Sequence, residues 1–322
     1  MLIRNRRKPI AIAARAILRA GTGHKYWSSF TPESVREIEE SAKELHDLLF
    51  EPETTVPLKT LEVPLGGSIS PVDALALLIE FLTIASNRLA EPKPIEKYDD
   101  DDSGIGTIAA LKNSLQVLNR ITGNTSGSLG LHPAVYFYNE KGKYSRFPFL
   151  GMTALIAEKL RNNDSGFFKK FTNARPKLEE FLLENKSLIG IIVQNLSKAQ
   201  RPAKMKDLFE FLVAESPTAK PTPEAAIAHI GLRGRILDVT APQTTPHISD
   251  ETKSMLFLRN ALKAALKCPI CNGLLEPSKS VSYDHIVPVR DLGTGHINNV
   301  QMSHPYCNTG YKESQKGKLT AS

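Results

Sequence analysis

The feature that most constrains the fold of this chain is a pair of matching two-residue spacings. Cys268 and Cys271 are separated by two residues, and the same spacing recurs between His304 and Cys307. Two such pairs supply the four donors of a closed tetrahedral zinc site. The chain has three cysteines, all of them within these pairs. The sequence therefore predicts a structural Cys₃His zinc site, with no cysteine left for a disulfide or a nucleophile. The alternative is a chance clustering of buried cysteines beside an unrelated histidine.

The segment between the two pairs has the pattern of a small ββα unit. A β-prone run at 280–283 predicts a strand that delivers Asp284 and His285 at its end. After a glycine-containing turn, residues 299–302 are expected to form the returning strand, and residues 304–312 to begin a helix. A unit of this size cannot bury a core of its own, so the zinc ion explains how it holds its shape.

In order and spacing, these pieces resemble the HNH endonuclease motif. The matching pieces are CPIC, DHIVP, the GTG loop, NVQ and HPYC followed by Asn308. The second knuckle departs from the family's C-x-x-C, since an imidazole replaces one thiolate. The final position is asparagine, which makes this the H-N-N version of the motif. The resemblance covers only the end of the chain.

The resemblance implies a catalytic site for phosphodiester hydrolysis, a reaction that needs a base for water and a cation for the developing charge. His285 would be the general base. Asp284 and Asn308 would supply oxygen ligands to one Mg²⁺ or Mn²⁺, which are hard cations. Asn299 would orient His285 through a hydrogen bond, with its neighbour Asn298 as the alternative. Without the flanking zinc pattern, Asp284 and His285 would be interpreted as an ordinary pair at a strand end.

Length, charge and cysteine use limit the class of protein. A chain of 322 residues can hold about two or three domains with an ample core. It contains no apolar run long enough to cross a bilayer, so no membrane partner is expected. The formal charge of +7 favours a polyanionic partner, although this balance is modest for the length. Cytoplasm is the expected location, because the cysteines are not paired outside the zinc site and no apolar region follows the basic start.

The remainder of the chain predicts a mainly α fold in three parts. Helical spacing dominates residues 1–215, with a sub-boundary near 91–106 where the acidic run Asp99–Asp102 predicts a solvated loop. Prolines concentrate in 216–249, which we interpret as a linker. Residues 250–322 then form the nuclease domain. Within the helical region, the run Leu131–Tyr138 predicts a short strand.

Basic residues in the helical region allow two interpretations. The basic N-terminal helix predicts either a phosphate-contacting arm or a solvated helical face. Between 159 and 177, further lysines and arginines predict a DNA-facing stripe. Interleaved glutamates at 179, 180 and 184 favour a mixed surface equally well.

A second resemblance concerns the region from about 45 to 151. Its segments PLKTLEVPLGG and SLGLHPAVYFY resemble parts of ParB-like restriction proteins, which often end in an HNH nuclease. The D-G-Q-Q-R-type motif of their nucleotide-dependent part is absent. The resemblance therefore implies a helical middle followed by a nuclease.

Together these observations predict a helical region followed by a ββα nuclease domain that a structural zinc ion stabilises. The nuclease is expected to cut DNA, in bacterial defence against phage or in restriction. The helical region is expected to contact a second copy of the chain or a protein partner from the same defence system. The alternative is a zinc-stabilised nucleic-acid-binding module without catalytic turnover.

Overall fold

The computed structural model describes residues 5–20, 29–67, 70–87, 93–234 and 246–312. Within these residues the protein is mainly α, which confirms the predicted fold class. The α-helices are α1 (Pro9–Ala20), α2 (Pro32–Phe50), α3 (Pro71–Ser86), α4 (Ile105–Ile121), α5 (Pro133–Tyr136), α6 (Arg146–Arg161), α7 (Ser165–Glu184), α8 (Lys186–Asn195), α9 (Arg201–Glu215), α10 (Pro223–His229) and α11 (Asp250–Ala264), and the strands are β1 (Ser282–His285) and β2 (Val300–Ser303).

The helical region is a bundle in which α1 packs against α2, α3 and α4. Helix α6 contacts α3 and α4 on one side and α7 and α9 on the other. Start signals in the sequence set several of these helices. Thr31 accepts a hydrogen bond from Ser34 N (3.3 Å) at the start of α2, and Pro32 occupies the first turn. Apolar side chains at helical spacing then fill the shared core.

The basic N-terminal helix is neither a free arm nor a solvated helix, because most of α1 is buried in the bundle. The basic residues before it pair with the acidic run: Lys8 Nζ lies 3.1 Å from Asp100, and Arg7 contacts Asp100 and Asp102. Asp101 is the buried member of the run. Its carboxylate accepts hydrogen bonds from the first turn of α4, so the run fixes a helix start in addition to facing solvent.

The predicted strand at Leu131–Tyr138 is wrong. The chain forms the short helix α5 there, with Pro133 in its first turn. The aromatic residues that suggested a strand are buried in the core. The Phe137 ring meets the Phe149 ring edge to face at a centroid distance of 5.4 Å.

The C-terminal ββα unit forms as predicted. Strands β1 and β2 are antiparallel, with Asp284 opposite Gln301 and His285 opposite Val300. Asp284 and His285 therefore lie inside β1. A π-helical turn, Cys307–Tyr311, follows β2. This is the only sheet within the described residues.

The C-terminal unit shares its core with the helical region. Leu258 and Leu262 of α11, together with Leu274 and Tyr306, belong to the same continuous hydrophobic core as the bundle. The predicted boundary at 216–249 contains the short helix α10, which packs on α9. Residues 235–245 of the predicted linker lie outside the described residues, and the domain boundaries remain a prediction.

Candidate active site and metal centre

The four predicted zinc donors come together in one buried cluster. The ligand atoms of Cys268, Cys271, His304 and Cys307 all lie within 4.8 Å of one another. Nδ1 of His304 lies 3.3 Å from the Cys271 sulfur and 3.7 Å from the Cys307 sulfur, so the imidazole would bind a metal through this nitrogen. Three thiolates and one imidazole in a closed cluster are the donor set of structural zinc. The grouping predicted from spacing is confirmed.

The titration of the cluster also fits a divalent metal. Hydrogen bonds from Cys271 and Cys307 lower the pKa of the Cys268 thiol. Its hydrogen bond to Cys268 raises the pKa of Cys271 to about 12, and the pKa of Cys307 is raised for the same reason. Crowding therefore opposes ionisation of the Cys271 and Cys307 thiols. A Zn²⁺ ion would supply the charge that stabilises all three as thiolates.

His304 is held as a neutral ligand by its surroundings. Burial lowers the pKa of its imidazole, and the adjacent Arg175 lowers it further. Nε2 of the ring lies 3.0 Å from Leu274 O, to which it donates when Nδ1 binds a metal. Arg175 Nη1 lies 2.7 Å from the same nitrogen.

Arg175 is the main functional residue that the sequence analysis did not single out for the zinc centre. Only 1% of this α7 side chain is exposed, and its Nη2 donates to Leu129 O (2.5 Å). The chain passes so close at Gly273 that a Cβ there would lie 2.0 Å from the Arg175 side chain. A Cys₃His zinc centre carries one net negative charge, so the buried guanidinium lies where it offsets that charge.

Glu179, one turn further along α7, completes this buried network. Its carboxylate accepts hydrogen bonds from Leu274 N (2.7 Å) and from the Tyr136 hydroxyl (3.0 Å). Burial raises the pKa of Glu179, and Arg175 at 3.8 Å counteracts that effect. The sequence signal for the network is a pair of opposite charges four residues apart on an otherwise apolar helix face.

Asp284 lies buried in β1 with a cationic neighbour. Its Oδ2 accepts hydrogen bonds from Gln301 Nε2 (2.9 Å) and Lys312 Nζ (2.7 Å). Lys312 also donates to the backbone oxygen of His285 (2.8 Å). Sequence reasoning did not assign a role to Lys312 or Gln301. The pairing of β1 with β2 explains the place of Gln301, since it is directly opposite Asp284.

Asn308 faces the same side of β1. Its Nδ2 donates to Ser282 Oγ (2.8 Å), two residues before Asp284. Alternation along a strand puts Ser282 and Asp284 on one face, which meets the C-terminal helical turn. Within the described residues, neither Asp284 Oδ1 nor Asn308 Oδ1 accepts a hydrogen bond. These two oxygens suit a hard cation such as Mg²⁺, which keeps several waters and takes few protein ligands.

His285 is the last residue of β1, and no described residue forms a hydrogen bond with its imidazole ring. The structure does not bring the Asn299 side chain to this ring. Asn299 Oδ1 accepts from Val287 N (2.7 Å), and its Nδ2 donates to Val287 O and Thr294 O. The amide therefore fixes the loop that follows His285.

The neighbouring glycine and asparagine support this arrangement of the loop. A Cβ on Gly293 would lie 1.7 Å from Val287 O, so the loop closes only with glycine at this position. Asn298, the alternative to Asn299, is exposed, and its backbone N–H donates to His296 Nδ1 (3.3 Å).

Comparison with known families identifies the unit. Residues 268–314 match the family model for HNH endonuclease. The C-terminal segment is an HNH endonuclease domain. The match contains the four metal-cluster residues as well as Asp284, His285, Asn299 and Asn308. No curated protein and no solved structure matches the chain. The resemblance of residues 45–151 to ParB-like proteins therefore remains a prediction. Within the described residues, none of the helices is long and apolar enough to cross a membrane.

Proposed function

We propose that this protein is a metal-dependent HNH endonuclease that hydrolyses DNA phosphodiester bonds. The observation that carries the proposal is the arrangement at β1. The His285 imidazole, which no described residue hydrogen-bonds, lies next in sequence to a buried carboxylate, and Asn308 meets the same strand. We place the phosphodiester at the end of β1, where Asp284 and Asn308 share one face of the strand and His285 is the next residue.

Each residue has a chemical role in this proposal. His285 accepts a proton from the attacking water, which suits an imidazole near neutral pH. Asp284 and Asn308 hold Mg²⁺ or Mn²⁺, which supplies charge stabilisation at the phosphate and the leaving oxygen. Lys312 donates a hydrogen bond to the Asp284 carboxylate and holds it in place. Asn299 holds the loop after His285, and the zinc cluster holds both ends of the unit together.

The decisive experiment is plasmid cleavage by the whole chain, with and without Mg²⁺, comparing His285→Ala with the parent. The variant should lose cleavage by about 10²-fold or more, because a general base contributes to rate. Zinc content and DNA binding should stay unchanged. His247→Ala, at an exposed position outside the HNH domain, is the matched control. Cleavage by His285→Ala at the parent rate would remove His285 from the mechanism.

A second candidate is a zinc-stabilised DNA-binding module without turnover. The exposed apolar side chains beside the site are compatible with it: Leu292 is 91% exposed, and Ile297 and Val289 are also exposed. Contiguous exposed apolar residues mark interaction surfaces. Binding of duplex DNA by the parent with no Mg²⁺-dependent cleavage would favour this candidate.

We further propose a role in bacterial defence against phage or in restriction, in the cytoplasm. The presence of an HNH domain beside a large helical region supports this setting. Bacteria that express the parent should resist phage infection better than those that express His285→Ala. Equal plaque counts on the two strains would contradict a nuclease-dependent defence role.

We also propose that the helical region contacts a second copy of the chain or a protein partner. One HNH site addresses one strand, so a double-strand break needs two copies or two successive nicks. The mass of the protein in solution and its plasmid products test this point. A strict monomer that linearises plasmid in one binding event would contradict it.

A further inference from the structure

Helix α7 carries basic and acidic residues whose arrangement the sequence left undecided. The structure removes several of them from the surface. Arg175 and Glu179 are buried against the zinc cluster. Glu180 and Glu184 pair with Lys220 at 3.0 and 2.7 Å. Of the acidic groups of α7, Glu179 is therefore buried, and Glu180 and Glu184 share one lysine, which offsets half of their charge.

Helix α7 also carries three lysines. Lys169 and Lys170 are exposed and Lys177 is half-buried, and none of them forms an ion pair with any residue that the structure describes. Lys169, Asn173 and Lys177 are spaced four residues apart, so they follow one face of α7. The face spans about 12 Å at 1.5 Å per residue. We call Lys169, Lys170 and Lys177 the α7 lysines.

Direct contacts join this face to the HNH domain. Asn173, between the lysines, accepts a hydrogen bond from the hydroxyl of Tyr311. The next residue, Lys312, contacts both Asp284 and the backbone oxygen of His285. The α7 lysines thus flank the position at which α7 contacts the C-terminal turn of the HNH domain.

Side chains also pack at this contact, so α7 and the HNH domain keep a fixed relative position. The Phe168 ring meets Tyr306 edge on at a centroid distance of 6.3 Å. Arg120 stacks over both rings, at 4.4 Å from Phe168 and 5.6 Å from Tyr306. An elongated substrate that enters the site along this side would meet α7 next.

We propose that the α7 lysines bind the phosphate backbone of duplex DNA adjacent to the scissile bond. The proposal rests on the proposed nuclease function and extends the DNA contact beyond the HNH domain. Unpaired lysines on one face complement a polyanion, and phosphate contacts position DNA without reading its sequence. The helical region therefore takes part in substrate binding.

The test uses the full-length, zinc-loaded chain with His285→Ala, so that the DNA stays intact. Binding to a duplex of about 30 base pairs, roughly three helical turns, is measured by fluorescence anisotropy over a range of salt concentrations. The triple variant Lys169→Gln, Lys170→Gln, Lys177→Gln should bind more weakly at low salt. The slope of log K against log salt should become shallower by about 0.9 per contact, about 2.7 in all.

A second triple variant controls for the loss of charge. Lys97→Gln, Lys198→Gln and Lys204→Gln remove the same charge from lysines that lie outside α7 and the HNH domain and form no ion pair within the described residues. This variant should keep the parental slope. Zinc content and the urea midpoint confirm that both variants are folded.

The outcomes separate this inference from the proposed function. If the parent does not bind the duplex, the nuclease proposal itself fails. If the parent binds with a steep salt dependence and the two triple variants have equal slopes, the assignment of the α7 lysines is overturned.

Discussion

At the scale of single residues, the chemistry of Asp284 depends on a lysine that lies outside the predicted set. Lys312 donates to the carboxylate at 2.7 Å and to the His285 backbone oxygen at 2.8 Å. It lies four residues after Asn308, so one helical turn carries both partners of β1. Lys312 thus balances the buried charge of Asp284 at the position where a cation would approach.

Lys312→Met should destabilise the protein by about 1–3 kcal/mol, because Asp284 loses a charged hydrogen-bond donor and stays buried. In Mg²⁺-free buffer the variant should melt at a lower temperature than the parent. Added Mg²⁺ should raise the melting temperature of the variant more than that of the parent, since the carboxylate then lacks any other cation. Thermal melts with and without Mg²⁺ measure this difference. If Mg²⁺ raises the melting temperature of neither protein, cation binding by Asp284 is contradicted.

A second residue-scale prediction concerns His132, a buried histidine at the start of α5. Burial, together with the nearby Lys186, lowers the pKa of His132 from 6.5 to about 3. Its Nδ1 has no hydrogen-bond partner within the described residues. Because the folded pKa lies below the unfolded one, the unfolded chain binds the extra proton between these values. The free energy of unfolding should therefore fall as pH drops from about 6.5 towards 3.

His132→Gln should flatten this acid dependence. The slope of unfolding free energy against pH should decrease by up to one proton, about 1.4 kcal/mol per pH unit. Urea unfolding at several pH values provides the slope, with the exposed His247→Gln as control. Parallel slopes for the parent and His132→Gln would mean that His132 is not buried in its neutral form.

Residue identities were predictable where the chemistry is local in sequence. Two pairs of fixed spacing determine the zinc donors, and the β-prone run before Asp284 indicates that Asp284 and His285 lie at the end of a strand. The partner of Asn299 was not predictable. Its amide bonds depend on how the loop closes at Gly293, and spacing does not reveal that conformation.

At the scale of elements, α7 connects the bundle to the zinc centre. Its buried face contributes Arg175 and Glu179 to contacts with His304 and Leu274. Helical periodicity predicted the element, but a periodic pattern does not say which surface its polar residues meet. The error at α5 has a similar cause, since buried aromatic residues suit both a strand and a tightly packed helical turn.

Arg175→Met should destabilise the whole chain by about 3–5 kcal/mol, because it leaves Glu179 buried without its cation. It should also speed the release of zinc, since the buried charge beside the cluster is lost. Urea unfolding and transfer of zinc to a chromogenic chelator measure these two effects. Lys170→Met, at an exposed position on the same helix, is the control.

The double variant Arg175→Met, Glu179→Gln separates charge from packing. It removes the unpaired carboxylate and keeps one oxygen to accept from Leu274 N, while the new amide N–H can donate to the Tyr136 hydroxyl oxygen. Stability should recover in part relative to Arg175→Met. No recovery would mean that the loss arises from packing of the Arg175 side chain alone.

At the scale of the whole molecule, the zinc unit and the bundle are joined by one core. Composition indicated a boundary because prolines cluster in 216–249. Proline content reports on local backbone and carries no information about contacts made by distant parts of the chain. Leu274 and Tyr306 pack into the bundle, and Ser280 Oγ donates to Gly123 O at 2.6 Å.

This shared core predicts how loss of zinc spreads through the protein. In Cys307→Ser the cluster loses a thiolate, and the ββα unit loses the ion that holds its shape. The Tyr306 ring then no longer packs against Phe168, and Leu274 N no longer donates a hydrogen bond to Glu179. Helix α7 should therefore lose protection together with the HNH domain. Helix α3, which packs mainly against α1, α4 and α6, should keep its protection.

Hydrogen exchange measured by mass spectrometry tests this directly. Peptides from α7 should exchange faster in Cys307→Ser than in the parent, and peptides from α3 should not change. Thr309→Ala removes the hydroxyl's hydrogen bonds to Ser126 O (2.6 Å) and Pro305 O (2.9 Å) and keeps every zinc donor, so it should behave as the parent does. If α7 in Cys307→Ser stays as protected as α3, the HNH domain unfolds alone. The shared core would then contribute little to coupling, and a boundary within 216–249 would describe the molecule better.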